Sequence, residues 1–202
     1  MILLLCGYKR CGKDECASFL ESELNFQHFK ISKYLKELLT LLFGFQNEQL
    51  EGTEKETVSP EWNVTPRDVM KFVGTNLFQF EIQKLLPHID RDFWLHLLRK
   101  DIELNRRPNT PIVISDLRFS HELEFFTRIF PREKIIVVNV LRSSVHKTDF
   151  VPDPSEDEHT KMPHTHVVQN NTSLYDLRVK LRQLIESEDT IRLFSQISPY
   201  ID

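Results

Sequence analysis

The sequence predicts an α/β protein, with helices on both faces of a five-stranded parallel sheet. Three observations predict it. An apolar run, Ile2–Cys6, passes through a glycine-bearing loop straight into a helical pattern. Further apolar runs of strand length alternate with segments of helical period, as a sheet built from strand–helix–strand units requires. Two long insertions, one helical and one polar, interrupt that alternation without any repeat or low-complexity linker. A single domain over residues 1–202 is therefore expected.

The first element is a strand over 2–6. Gly7-Tyr8-Lys9-Arg10-Cys11-Gly12-Lys13-Asp14 follows it, then a helix over 13–24. Strand, loop and helix N-terminus in this order make a phosphate-binding P-loop. Gly7 and Gly12 let the backbone turn tightly and aim its N–H groups at phosphate oxygens. The helix dipole adds partial positive charge at the same point. Lys13 supplies a mobile full charge for the β- and γ-phosphates, so a nucleoside triphosphate is the expected ligand. Ser or Thr usually follows this lysine. Here Asp14 stands in its place, with Glu15 next. A carboxylate beside a triphosphate is repulsive unless a cation lies between them. Asp14 thus points to Mg²⁺, held directly or through water, or else to a helix N-cap.

Further strands are expected over 26–31, 111–115, 134–141 and 166–169. Helices are expected over 33–43, 66–86, 92–104, 121–129 and 173–187. Residues 32–105 read as a helical lobe with one loop at 47–64. Thr65 before Pro66 is a good N-cap, with proline at the first helical position. Residues 143–164 are polar and rich in Pro, Asp and His, and read as a mobile lid. Asp153, Glu156, Asp157 and Glu158 read as its solvated face. The core is then 1–31, 106–142 and 165–202.

With 40% hydrophobic residues, 202 positions suffice for one substantial core with appended lobes. Fifteen phenylalanines suggest that this core is phenylalanine-rich. A net charge of −4 argues against a nucleic-acid-binding surface, so any positive field must be local. The first apolar run is too short for a signal peptide or membrane span, which favours a cytoplasmic location and no membrane partner. Cys6, Cys11 and Cys16 follow no zinc-finger spacing. The plain reading makes them small buried or loop residues. The sharper one makes Cys11 redox-sensitive, because Lys9, Arg10 and Lys13 would lower its thiol pKa.

Val113-Ile114-Ser115-Asp116 is an apolar strand that ends in a carboxylate. A carboxylate there lies at the C-terminal edge of a parallel sheet, where such sheets bind ligands, and can orient Mg²⁺ through its water shell. Its structural alternative is an N-cap for the next helix. Arg118 can fork onto a phosphate or pair with Glu122. In the helical lobe, Arg67 opens the helix over 66–86 and suits an acceptor phosphate. A glycine costs about 1 kcal/mol inside a helix, so Gly74 implies close approach of a ligand or another helix. Trp94 fits a core position or the wall of a base pocket equally.

GYKRCGKD, TPRDVMKFVGT, the Phe93-Trp94 pair and VISDLRFSHE, in that order, resemble the deoxynucleoside monophosphate kinases of the phage T4 type. The resemblance spans roughly 2–180. It implies a P-loop kinase of adenylate-kinase-like architecture in which 32–105 is the NMP-binding insertion. It implies transfer of the ATP γ-phosphoryl to a deoxynucleoside 5′-monophosphate with Mg²⁺, and by analogy a large DNA virus or phage as source. By matching position, Arg10, Cys11, Gly12, Lys13, Asp14 and Glu15 fall on the ATP side. Lys9, Lys36 and Arg67 fall on the acceptor side with Gly74 and Trp94. Asp116 and Arg118 lie between, and Arg142 sits where the family enters its lid. Lys71 and Gln79 depart from the pattern, which expects Gln and Arg there, and both would face the acceptor pocket if the helix were continuous. The implied partners are small nucleotides, with a homodimer left open. The rival readings are a P-loop kinase with a non-nucleotide acceptor such as phosphomevalonate, and a non-catalytic nucleotide-binding module.

Overall fold

Every residue of the run Ile2–Cys6 is fully buried, and the run forms β1, the central strand of the sheet. A strand shut from water on both faces must be apolar throughout, as this one is. The structure is a computed structural model that describes residues 1–145 and 158–197, apart from the side chains of 189–197. The strands are β1, β2 (Gln27–Phe29), β3 (Ile112–Ile114), β4 (Ile135–Leu141) and β5 (His166–Gln169), in the order β2-β3-β1-β4-β5. β1 pairs in parallel with β3 (Leu4 opposite Ile114) and with β4 (Cys6 opposite Asn139). This is the expected parallel α/β sheet, with strand ends trimmed by a residue or more at β2, β3 and β4.

The helices are α1 (Lys13–Leu24), α2 (Lys33–Phe43), α3 (Asn47–Leu50), α4 (Pro66–Lys71), α5 (Phe93–Asn105), α6 (Ser120–Ile129) and α7 (Leu174–Ile197). The chain divides into two compact units. The first comprises Met1–His28, Pro108–Ser120 and Arg132–Asp202. In it, Leu3, Leu5, Val113, Val138 and Val140 pack with Phe19 and Leu20 of α1 and with Leu177 and Leu181 of α7. This sheet core is aliphatic rather than phenylalanine-rich, because parallel strands covered on both faces favour Val, Ile and Leu.

The second unit comprises Phe29–Arg107 and His121–Pro131. Leu39, Phe45, Leu50, Val69 and Val73 form one core cluster in it, and Leu95, Leu98, Phe125 and Phe126 are buried there as well. Asp101 of α5 is buried and accepts from Lys33 Nζ of α2 at 2.7 Å and from Asn105 Nδ2 at 2.7 Å. The hydrogen bond to Asp101 raises the Lys33 pKa. Burial alone would push Asp92 up, but His121 and Arg128, both bonded to it, hold its carboxyl below the usual range. The expected loop 47–64 carries α3 and a 3₁₀ turn, Thr53–Glu56.

Thr65 caps α4 as its spacing predicts, accepting from Asp68 N at 3.1 Å with Pro66 in the first turn. The single helix expected over 66–86 does not form. After Lys71 the chain widens into a π-helix, Phe72–Phe80, and then tightens into a 3₁₀ turn, Glu81–Lys84. The Trp94 indole N–H donates to Gly74 O at 2.8 Å. Leu35 presses its Cδ2 to 2.7 Å from where a Gly74 Cβ would lie. An outside donor thus claims a carbonyl of the helical ladder, and the ladder widens there. Gly74 is accounted for by the approach of a neighbouring helix.

α7 runs ten residues past the expected end at 187, since no Gly or Pro interrupts it before Pro199. It is fastened by Glu188, which meets His166 Nε2 of β5 at 2.7 Å and pairs with Lys134 just before β4. Among the described residues no helix is long and apolar enough to cross a membrane. The Lys134 hydrogen bond leads the causes that hold the Glu188 pKa below the ordinary carboxylate value. A depressed folded pKa adds stability that is present above the unfolded value and lost as pH falls through the folded one. Glu188→Gln should therefore lower the melting temperature by a few degrees at neutral pH, and that gap should close below about pH 4. Melting curves of both proteins across pH check it.

Candidate active site

The turn from β1 into α1 is held in an unusual backbone conformation. Gly7 has φ +138°, and a Cβ there would lie 2.4 Å from the Val140 carbonyl oxygen. Backbone cannot yield as a flexible side chain can, so only glycine fits. Gly12 has φ +106° and is the N-cap of α1, with no side chain capping the helix. The alternative of Asp14 as its N-cap is corrected: Asp14 and Glu15 lie exposed in the first turn. An uncapped first turn presents its N–H groups and the helix dipole as an anion site.

Lys13 Nζ donates to Gly7 O and Tyr8 O, each at 2.8 Å, and lies 3.7 Å from Cys11 Sγ. The ammonium ties the loop across its own turn. Arg10 is exposed at φ 66°, and Lys9 is half-buried. Cys11 is 1% exposed. Burial pushes its thiol pKa up, against the pull of Lys13, which corrects the redox-sensitive reading. Burial likewise pushes Cys6 and Cys16 up to about 12.

Asp116 and Arg118 follow β3 directly, two and four residues past Ile114, the partner of Leu4 in β1. Their strand end thus lies beside the one that feeds the P-loop. Ser115 is buried and bonded to His28 Nε2 at 2.8 Å. Asp116 is not the cap of the next helix. α6 starts at Ser120, whose N–H donates to Glu158 Oε1 at 2.9 Å. Glu158 is accordingly no part of a solvated face. His159 and Met162 are buried as well, with the His159 ring edge-on to Tyr8 at 4.7 Å. The end of the polar segment is docked on the P-loop unit rather than free of it. Asp153, Glu156 and Asp157 lie outside the described residues. Arg142 is exposed just past β4. The first unit therefore gathers the P-loop, Asp116, Arg118 and Arg142 at the C-terminal edge of three adjacent strands.

In the second unit, Lys36 Nζ lies 2.7 Å from Glu51 Oε1. Arg67 Nε lies 2.8 Å from Glu56 Oε1, an ion pair whose N–H is not aligned for a hydrogen bond. Both cations thus face carboxylates from one short acidic segment. Trp94 is buried against Phe78 and Phe93 and bonded to Gly74. Phe72 is 59% exposed. Lys71 is exposed, whereas Gln79 is buried and accepts from Arg91 Nη2 at 3.0 Å, so the two do not share an environment.

The sequence reading missed Glu51, Glu56, Arg91 and Asn170. Glu51 and Glu56 look like ordinary loop acids. Asn170 follows β5, where its side chain donates to Cys11 O at 2.9 Å. A single Asn carries no motif, and only a contact across 159 positions reveals it. Gly7→Ala should unfold at a clearly lower temperature, with a strain cost of about 1–3 kcal/mol, and should lose nucleotide binding. Thermal melts and a nucleotide titration measure both.

No family model matches the chain. A protein of Acanthamoeba polyphaga mimivirus, provisionally named a deoxynucleotide monophosphate kinase, is 32% identical over 136 residues, covering 64% of this chain and 70% of that protein. Among solved structures, dephospho-CoA kinase from Campylobacter jejuni is similar in fold. It has a TM-score of 0.52 at 13% identity, covering 95% of this chain and 98% of that one.

Proposed function

The chain belongs to the deoxynucleotide monophosphate kinase family of its mimiviral relative, and on that premise we propose that it transfers the γ-phosphoryl of ATP to a deoxynucleoside 5′-monophosphate. The observation that carries the reading is the glycine turn at Gly7 and Gly12, which opens an uncapped helix with Lys13 at its first position. Phosphoryl transfer between two phosphates needs placement and charge more than covalent help. In this reading Lys13 moves from the loop carbonyls to the β- and γ-phosphates. Lys9, Arg118 and Arg142 offset the repulsion between donor and acceptor, both of them anions. An acceptor phosphate is acidic enough to need no side-chain base.

Asp14 and Asp116 are hard oxygen donors on the P-loop unit, a donor type that fits Mg²⁺. A Mg²⁺ held by them would supply charge neutralisation at the β- and γ-phosphates. Lys36 and Arg67 receive the acceptor phosphate, which competes with the carboxylates of Glu51 and Glu56 for the same two cations. Gly74 and Trp94 shape the acceptor side from within the second unit.

The deciding experiment measures ADP release across the eight common nucleoside monophosphates. At least one deoxynucleotide should stimulate release by orders of magnitude over ATP alone. Stimulation by phosphomevalonate and by none of the eight overturns the assignment. Lys13→Ala should cut turnover by about two decades or more while the far-ultraviolet circular dichroism stays that of the parent.

Arg67→Ala should raise the monophosphate KM and leave the ATP KM nearly unchanged. Arg67→Lys should recover only part of the loss, since an ammonium cannot reproduce a two-pronged contact. Equal damage to both substrates contradicts the division of roles. Steady-state kinetics with each substrate varied in turn separates the cases.

A further inference from the structure

We propose that Asn170 is a positioning residue of the P-loop, fixing the Cys11–Gly12 peptide in the orientation that nucleotide binding needs. The inference rests on the reading of this loop as the ATP site. Asn170 is the first residue after β5, and its own N–H donates to Leu141 O at 2.7 Å, which pins its backbone to the end of β4. From that fixed point its Nδ2 donates to Cys11 O at 2.9 Å. A trans peptide is planar, with its C=O and N–H pointing opposite ways. Anchoring the Cys11 carbonyl on Asn170 therefore aims the Gly12 N–H away from Asn170.

The fit between Asn170 and the loop is close. A Cβ on Gly12 would lie 2.4 Å from Asn170 Nδ2, so the amide fills the space that any side chain at position 12 would need. The turn that carries Asn170 is braced on both sides. Lys180 Nζ donates to Gln169 O at 2.8 Å. Asn171 Oδ1 accepts from Ser143 N at 2.7 Å, one residue past Arg142. A group held this firmly acts as a fixed post for the loop. The same turn also holds the chain beside Arg142, so one short segment links two parts of the proposed site.

The test uses the full chain and titrates ATP by calorimetry, with no acceptor present. Asn170→Ala should weaken ATP binding about five- to tenfold, the scale of one lost orienting hydrogen bond. Its melting temperature should stay within a few degrees of the parent, and the monophosphate KM at saturating ATP within about twofold. Asn170→Ser, too short to reach Cys11 O, should give the same loss. Gly12→Ala adds a signature that general loosening does not produce. An alanine at φ +106° stays strained in either background, but removing the amide relieves its clash with Asn170 Nδ2, so the double variant Gly12→Ala/Asn170→Ala should bind ATP at least about threefold better than the product of the single losses. Unchanged ATP affinity in Asn170→Ala overturns the inference. So does a loss of melting temperature with ATP and monophosphate affected equally. A parent chain that binds no ATP overturns the reading of the loop itself, and the inference with it.

Discussion

The contact of Gly7 with the Val140 carbonyl sets the position of the P-loop. At Gly7 the chain leaves β1 so close to the neighbouring strand that no side chain fits between them. The loop is thereby tied to the register of β1 on β4, in which Leu5 faces Val138 and Cys6 faces Asn139. A slip of one residue would turn every side chain of the strand to the wrong face and carry the loop with it. Because Ile2–Cys6 is apolar and buried on both faces, side-chain packing and the Gly7 contact, rather than an apolar–polar alternation, hold that register. Gly7 and Gly12 take their positive φ angles freely, whereas Arg10 at φ 66° is a strained choice that the surrounding structure sustains. Lys13 and Asn170 then fasten the turn from within and from without.

Charge is handled locally in a chain that is acidic as a whole. On the P-loop unit the cations sit at strand ends and at a helix N-terminus, where the backbone adds its own positive potential. On the second unit Lys36 and Arg67 sit against Glu51 and Glu56, partly exposed pairs that add little to stability. Their consequence is orientation, since each long side chain is held in one place. Asp92 and Asp101 differ, being buried carboxylates that fasten α5 to α6 and to α2. Cations beside a thiol do not make it reactive when burial dominates, as Cys11 illustrates.

The interrupted helix after Lys71 has a separate origin. Its apolar period and the Thr65-Pro66 start suggest one long α-helix, although Phe, Val, Thr, Asn and Gly74 are middling to poor helix formers. Trp94, twenty residues downstream, donates to the Gly74 carbonyl, and Leu35 occupies the space over Gly74. The π-helix is the local answer to two contacts that helix propensity does not encode.

By itself the sequence determined the order of elements, the parallel α/β sheet, the P-loop turn and the cap at Thr65. Each of these is written in short range: alternating apolar runs, glycines where the backbone must reverse, and a Thr-Pro pair at a helix start. The tertiary structure alone decided which residues hold these pieces in place. Asn170 meets Cys11, Glu158 meets Ser120, and Glu56 meets Arg67 only because the fold brings together segments that lie far apart in the chain or across a turn of irregular structure. Asn and Glu side chains are ordinary wherever they occur in a sequence. Their meaning comes from the partner that folding supplies, and that partner leaves no local signal.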